Sequence, residues 1–221
     1  PMLLLGFIEY SLIANFALLF GVLFEMTFIS MGLAERLRTS EKKRLYQANH
    51  DEVFNFANMN LLNKKFMSLT VANKPAKFSL LIVRINKYAS IVPYVRPDQL
   101  VHLVHQFVSD VEDHFARELM LEPFDSNSNF KSVVMIREGV FGLVVSSQDQ
   151  QALNRSIRQF AQQQPVTYKV EKLSINFNCY ISSIAYQKNT ESMNELVRSG
   201  LQEIEVAINS GRNYGIFDED S

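Results

Sequence analysis

The sequence has few of the residues that mark several classes of protein. It contains one cysteine, Cys179, no tryptophan, 8 glycines and 6 prolines among 221 residues. A single cysteine excludes an internal disulfide framework and any zinc site built from several thiolates, and it is typical of a reducing compartment. The low glycine and proline content excludes collagen-like and low-complexity sequence. No glycine-rich phosphate loop connects a predicted strand to a predicted helix.

Neither sign of charge predominates. The chain has 22 lysines and arginines against 23 aspartates and glutamates, a formal charge of −1. It therefore lacks the overall positive field of a general nucleic-acid binder, and we expect no nucleic-acid partner. Hydrophobic residues make up 47% of the chain and charged residues 20%, which excludes intrinsic disorder. The length suits one globular domain with an attached segment.

A long apolar run lies near the N-terminus. Between Tyr10 and Ala34 the only charged residue is Glu25. As a helix this run would be about 37 Å long, against roughly 30 Å for the hydrocarbon core of a bilayer. It predicts a membrane-spanning helix, with a buried core helix as the alternative. Because an ionised carboxylate is costly at mid-membrane, Glu25 is a candidate functional residue, either in a helix–helix contact or in a proton pathway.

A basic segment follows the apolar run. Only Glu35 and Glu41 oppose its five basic residues, which are Arg36, Arg38, Lys42, Lys43 and Arg44. A basic excess beside a span marks the cytoplasmic flank, which predicts that residues 35–221 are cytoplasmic. Residues 35–50 lack glycine and proline and predict a helical connector, in which a two-stranded coil is possible. We therefore divide the chain into a membrane segment (1–34), a connector (35–50) and a globular domain (51–221).

The globular domain alternates between strand and helix patterns. Short apolar or alternating runs predict strands over 78–85, 132–137, 140–147, 168–186 and 214–217. Apolar residues at the helical period predict helices over 97–119, 148–164 and 191–209, with Pro165 and Gly211 after the last two. This order predicts an α+β domain of the split βαβ type, with helices on one face of a mostly antiparallel sheet.

The predicted helix over 97–119 carries several side chains that could bind a metal ion, namely His102, His105, Asp110, Asp113 and His114. The apolar residues at 104, 108, 111 and 115 define its core face, and these polar side chains do not converge on a common point. A closed metal site needs convergent ligands. We therefore interpret them as a solvated face.

Four segments, in order, resemble GGDEF domains, the diguanylate cyclases. They are HDEVFNFANMN (50–60), LLIVRINKYASI (80–91), VVMIREGVFGLVV (133–145) and LVRSGLQEIEVAINSGRN (196–213). In the third, the family's signature Gly-Gly-Asp/Glu-Glu-Phe falls on Arg137, Glu138, Gly139, Val140 and Phe141. The fourth ends in the family's Gly-Arg-Asn. The resemblance covers about residues 50–217 and implies a nucleotide-cyclase-like palm fold.

The apolar helix that precedes the domain is also similar to a known segment. GVLFEMTFISMGLAERL, residues 21–37, resembles the last helix of bacterial seven-transmembrane receptors that carry intracellular signalling domains. This resemblance implies that residues 1–34 end a seven-helix receptor region. It also implies a location in the bacterial inner membrane, with the membrane itself as a partner.

The resemblance places unsuitable residues at the metal positions. Diguanylate cyclases join two GTP molecules with the help of divalent metal ions held by carboxylates. The first metal position holds Arg84, and the two acidic signature positions hold Gly139 and Val140. An arginine about 4 Å from a divalent ion would repel it by roughly 8 kcal/mol at an effective dielectric of 20. We expect no catalytic residue, no metal site and no cofactor, with Mg²⁺ only if the chain is an active cyclase.

The family's nucleotide-binding positions are also altered. Its guanine-reading asparagine falls at Val92, a phosphate-contacting lysine falls at Ile208, and Asp98 stands for a companion aspartate. Two alternatives keep some chemistry. A shift of the turn by one residue could bring Glu138 to the site, which would need a bulge. Alternatively, Arg84 could bind a phosphate without metal.

Taken together, these residues predict a membrane-anchored bacterial signalling protein. Its GGDEF-like domain would be catalytically inactive and would act as a regulatory or dimerisation module. The alternative is an active diguanylate cyclase, or a domain that binds GTP or cyclic di-GMP. The expected partners are a second copy of the chain and a GGDEF or phosphodiesterase signalling protein, and the candidate small ligand is a guanine nucleotide.

Overall fold

The computed structural model describes residues 12–71, 78–125, 128–146, 150–186 and 192–216. Contacts divide the chain into two compact units, Pro1–Ala48 and Asn49–Ser221. The first described element, α1 (Leu12–Asn49), is a single helix of 38 residues. It contains both the described part of the predicted membrane segment and nearly all of the predicted connector.

The large apolar side chains of α1 from Phe16 to Leu37 whose burial is described are all exposed, and Glu25 is exposed among them. In the described part of the chain, no helix is both long enough and apolar enough to cross a membrane. The span predicted over 10–34 thus gains no support from the described residues. Residues 10 and 11 lie outside the described residues, and the rest of the run contains Glu25 and is closed by Glu35 and Arg36.

The second unit is an α+β domain. Its strands are β1 (Ala57–Asn58), β2 (Ser79–Ile85), β3 (Val133–Arg137), β4 (Val140–Val145), β5 (Val166–Val170), β6 (Leu173–Phe177), β7 (Cys179–Ala185) and β8 (Tyr214–Ile216). Its helices are α2 (Met59–Val71), α3 (Tyr88–Ile91), α4 (Pro97–Ala116), α5 (Gln150–Gln162) and α6 (Met193–Asn209), with a 3₁₀ turn at Val92–Tyr94.

Six strands form the main sheet in the order β1-β3-β4-β2-β7-β8, and β5 pairs with β6 separately. In the main sheet β2 is antiparallel to both β4 and β7, whereas β1–β3 and β7–β8 are parallel pairs. The mostly antiparallel α+β prediction is thus confirmed. The single strand predicted over 168–186 is wrong, because the chain turns at Glu171, whose φ is 53°, and again before β7.

Helices cover both faces of the main sheet, so the prediction of helices on one face is also wrong. Successive strand residues point to opposite faces, and β2 is apolar at nearly every position. Leu81, Val83 and Ile85 pack with the buried residues of α4 and α5. Leu80 and Ile82 pack with those of α2 and α6. Each face of β2 therefore needs its own pair of helices.

Candidate functional site

Three elements of the second unit meet at a cavity of about 380 Å³. They are the C-terminal end of β2, the start of α3 and the turn between β3 and β4. The lining residues are Arg84, Ile85, Lys87, Tyr88, Ala89, Arg137, Glu138, Gly139 and Val140. The strand register explains the arrangement, since Arg84 pairs with Val140 and the Ile85 N–H donates to the Gly139 carbonyl over 2.9 Å. The site thus contains the segment that resembles the GGDEF signature.

The β3–β4 turn is built around Gly139. Arg137 and Val140 pair across the hairpin, and the register shifts between Met135 and Arg137. Gly139 has a φ of +71°, and a Cβ atom there would lie 2.5 Å from the Tyr88 Cγ. Both the left-handed backbone and the neighbouring ring therefore favour glycine. In this backbone, position 139 cannot hold a carboxylate side chain unless Tyr88 moves.

The Arg84 side chain projects towards α6. Arg84 is two residues from Ile82, which packs in the α2 and α6 cluster, so both side chains lie on the same face of β2. The Arg84 Nη1 donates to the Glu205 Oε1 of α6 over 2.5 Å. The side chains are 30% and 58% exposed, respectively. The guanidinium at the predicted first metal position is thus paired with a carboxylate of the same chain.

Two further cations line the cavity. Lys87 immediately precedes α3 and has a left-handed φ of 53°, and Arg137 ends β3. Both are exposed. In the part of the chain that the structure describes, neither forms an ion pair. Glu138 is the only acidic residue in the lining set, so the described walls carry a net positive charge.

Tyr88 forms the buried floor beside the turn and is 8% exposed. Burial, and then the nearby carboxylates of Glu138 and Asp51, raise the pKa of Tyr88 to about 12. The phenol therefore stays protonated at neutral pH and can donate a hydrogen bond. Glu138 also lines a neighbouring depression of about 350 Å³ that contains Asp51. The shift of register between Met135 and Arg137 is the kind of bulge that would be needed for a shifted turn to bring Glu138 to the site. Glu138 lines both the cavity and this neighbouring depression.

The other residues that the sequence singled out lie elsewhere. Asp98, in the first turn of α4, is 64% exposed and accepts a hydrogen bond from the Arg96 Nη2 over 3.1 Å. It does not line the cavity. Phe141 is 1% exposed and belongs to the α4 and α5 side of the core, whereas Val140 is 2% exposed and belongs to the other side. Glu25 lies in α1, in the first unit.

The solvated-face interpretation of α4 is wrong for two of its histidines. The His105 Nε2 lies 2.9 Å from the Phe54 carbonyl, and the His114 Nε2 lies 3.0 Å from the Ser156 carbonyl. Both histidines are partly buried and connect α4 to other elements. Among the residues that the structure describes, no three His, Cys, Asp or Glu side chains come together as potential metal ligands.

Sequence reasoning missed three residues of the site, Lys87, Tyr88 and Glu205. Tyr88 lies in the segment 80–91 without a polar pattern that would mark it as a site residue, and Lys87 has no periodic signal because its backbone conformation is what distinguishes it. The sequence contains one signal for Glu205. This residue lies in α6, three positions before Ile208, and its charge is opposite to that of Arg84. The two residues are 121 positions apart, so only the fold brings them together.

Comparisons with known proteins support the fold and not the sequence family. No protein-family model matches the chain, and no curated protein matches it. One similar structure is the coiled coil and GGDEF domain of DgcB from Caulobacter crescentus, solved in complex with c-di-GMP. Its sequence is 13% identical to this chain and the TM-score is 0.62, and the match covers 88% of this chain and 99% of the DgcB chain. The diguanylate cyclase SiaD from Pseudomonas aeruginosa, in complex with its activator SiaC, is 12% identical with a TM-score of 0.55, covering 94% and 75%. A diguanylate cyclase/phosphodiesterase from Caldicellulosiruptor saccharolyticus is 18% identical with a TM-score of 0.55, covering 78% and 94%.

Proposed function

We propose that this chain is a bacterial signalling protein whose GGDEF-like domain lacks cyclase chemistry and acts as a regulatory and dimerisation module. The fold shared with diguanylate cyclases supports the signalling class. The observation that carries the inactive assignment is the charge of the cavity, which is lined by Arg84, Lys87 and Arg137 and by a single carboxylate, that of Glu138.

The donor set of the cavity does not suit a catalytic divalent metal ion. Mg²⁺ requires hard oxygen ligands in a near-octahedral arrangement, and Glu138 is the only carboxylate in the lining. The guanidinium of Arg84 would oppose a divalent ion by roughly 8 kcal/mol at 4 Å, about the free energy of micromolar binding. Glu205 offsets part of that charge, but its carboxylate is already hydrogen-bonded to Arg84. Metal-assisted attack on GTP therefore has little support at this site.

The α1 helix supports the proposed homodimer. Apolar side chains are exposed all round this helix, including Phe20, Phe24 and Phe28. One set among them has alternating spacings of three and four, with the polar Ser30 at one position: Phe16, Leu19, Leu23, Met26, Leu33 and Leu37. This is the spacing of a two-stranded coiled coil. A second copy of the same helix would cover these side chains. The similar DgcB structure also contains a coiled coil next to its GGDEF domain, which agrees with this proposal.

The proposed regulatory role implies a protein partner. A similar structure, SiaD, was solved in complex with an activator protein, which supports regulation through partner binding among proteins of this fold. For this chain we propose that the partner is an active GGDEF or phosphodiesterase protein. The cytoplasmic location of residues 35–221 stays a prediction of the sequence.

Activity measurements on the full chain test the inactive assignment. We expect no cyclic di-GMP after incubation with GTP and either Mg²⁺ or Mn²⁺, under conditions in which an active diguanylate cyclase gives product. Formation of cyclic di-GMP at multiple turnovers would contradict the proposal. If product forms, a Glu138→Gln variant shows whether the one carboxylate of the cavity is responsible.

A second candidate function is binding of GTP or cyclic di-GMP without turnover. The positive walls of the cavity favour it, because phosphates bind readily to arginine and lysine. Calorimetric titration with each nucleotide, with and without metal, tests this candidate.

A further inference from the structure

We propose that the acidic segment after β8, residues 217–221, binds to an arginine-bearing face of α5 in the same chain. This inference goes beyond the proposed function, because the face does not line the cavity beside the β3–β4 turn. It identifies a surface of the second unit that accepts acidic ligands, and it names the internal segment with which an acidic partner would compete for that surface.

One face of α5 is positively charged. It borders a depression of about 430 Å³ lined by Gln151, Asn154, Arg155, Arg158, Gln159 and Gln162. The 13 residues of α5 include these two arginines and no acidic residue. Both arginines are exposed, and among the described residues neither forms an ion pair. The face therefore carries two cations that no described carboxylate neutralises.

The contacts of α5 show which way this face points. The Phe160 ring lies against α4, with its centroid 5.5 Å from that of Phe115 and 4.9 Å from that of His114. Successive helix residues are about 100° apart, so Arg158 points about 160° away from Phe160. The helix also packs against β7 and β8, and β8 is the last strand of the main sheet. The arginine face therefore lies on the side of the sheet edge that β8 forms.

The strand directions bring the end of β8 close to the start of α5. β4, β7 and β8 run in the same direction, because β2 is antiparallel to both β4 and β7 and β8 is parallel to β7. Val145 ends β4, and α5 begins at Gln150. Ile216 of β8 pairs with Ser183 near the end of β7. The chain therefore leaves β8 at the same end of the sheet at which α5 begins.

The segment after β8 has the complementary charge and enough length. Its residues, which lie outside the described part of the chain, are Phe217, Asp218, Glu219, Asp220 and Ser221. Three of these five residues are acidic. The rise along α5 from Gln150 to Arg158 is about 12 Å, and five extended residues span up to about 17 Å. The acidic side chains can therefore reach both arginines of the face.

Disulfide cross-linking of the full chain tests the proposal. The native Cys179 is 0% exposed, so two introduced cysteines provide the reactive thiols. Ser221→Cys combined with Gln159→Cys, on the α5 face, should form a disulfide within one chain under mild oxidation. The matched control combines Ser221→Cys with Gln202→Cys, an exposed position of α6 on the other face of the sheet. That pair should form a disulfide much more slowly.

Charge variants separate binding from mere proximity. In the protein with Ser221→Cys and Gln159→Cys, the combined change Asp218→Asn, Glu219→Gln and Asp220→Asn should slow cross-linking about two- to fivefold, the factor of an exposed ion pair. Neutralising both arginines of the face with Arg155→Gln and Arg158→Gln should have the same effect. The matched control is Arg36→Gln with Arg38→Gln, which removes two exposed arginines of α1 and should leave the rate unchanged. In 1 M NaCl, where the screening length is about 3 Å, the differences should largely disappear.

Three results would overturn the proposal. Equal rates with and without the acidic side chains would show that the segment is near α5 but does not bind to it. A disulfide that joins two chains would assign the face to a second copy. Binding of a polyglutamate peptide that does not tighten when the segment is neutralised would assign the face to an acidic partner alone. None of these measurements involves nucleotide or cyclase activity, so their failure is distinguishable from failure of the proposed function.

Discussion

Replacement of Gly139 by alanine should destabilise the protein strongly, because the turn of the candidate site depends on two separate features of this glycine. Its φ is +71°, and an added Cβ would lie 2.5 Å from the Cγ and 2.7 Å from the Cβ of Tyr88. The left-handed backbone costs an alanine about 1 kcal/mol or slightly more. The overlap with a buried ring adds the cost of overpacking, about 1–3 kcal/mol. We therefore expect Gly139→Ala to lower the free energy of unfolding by about 2–4 kcal/mol.

Gly211 provides a matched control for the backbone contribution. Its φ is +69°, and an added Cβ would meet no atom within 4 Å. Gly211→Ala should therefore cost only the left-handed backbone, about 1 kcal/mol. The difference between the two variants measures the overlap with Tyr88 alone.

Urea denaturation of the full chain, followed by circular dichroism because the chain has no tryptophan, provides the measurement. Adding Tyr88→Ala to Gly139→Ala should recover part of the loss relative to the sum of the two single changes. The reasoning is refuted if Gly139→Ala is no more destabilising than Gly211→Ala. It is equally refuted if the double variant shows simple additivity.

Two predictions concern pH. Hydrogen bonds from Lys65, then from Ser146, hold the pKa of Glu122 below its usual value of 4.5, so its stabilisation is present above pH 4.5 and is lost as pH falls through the lower folded pKa. Glu122→Gln should flatten the pH dependence of the unfolding free energy in acid, whereas Glu118→Gln should leave it unchanged, and equal acid profiles for all three proteins would contradict this. Because the pKa of Tyr88 is raised to about 12 from 10.0, the folded state favours the neutral phenol, and stability should fall as pH rises above 10. Burial, and then the hydrogen bond with Asp110, also raise the pKa of Tyr168, so tyrosinate absorbance should show more than one late-titrating group. The Tyr88 group should be missing in Tyr88→Phe and should shift to lower pH in Glu138→Gln, and no shift in the Glu138→Gln protein would contradict the proximity of the two side chains.

Local patterns were sufficient to predict most elements of the second unit. The buried run of β2, the paired runs of β3 and β4, and the helical period of α4 each lie within one segment, so the sequence alone places them to within a few residues. Predictions failed where the outcome depended on distant segments. The region 166–185 folds into three strands, and the helices distribute over both faces because β2 needs cover on each side.

The sequence by itself determined that Arg84, Gly139 and Val140 stand where the resemblance to GGDEF domains predicts metal-binding carboxylates, because these positions can be identified within an order of motifs. Only the tertiary structure decided what surrounds these residues. It pairs Arg84 with Glu205 across 121 residues and places Tyr88 where a side chain at position 139 would lie. It also adds Lys87 to the cavity walls. Charge pairing and steric exclusion depend on distances of a few ångströms between elements far apart in the chain, and no local periodicity contains that information.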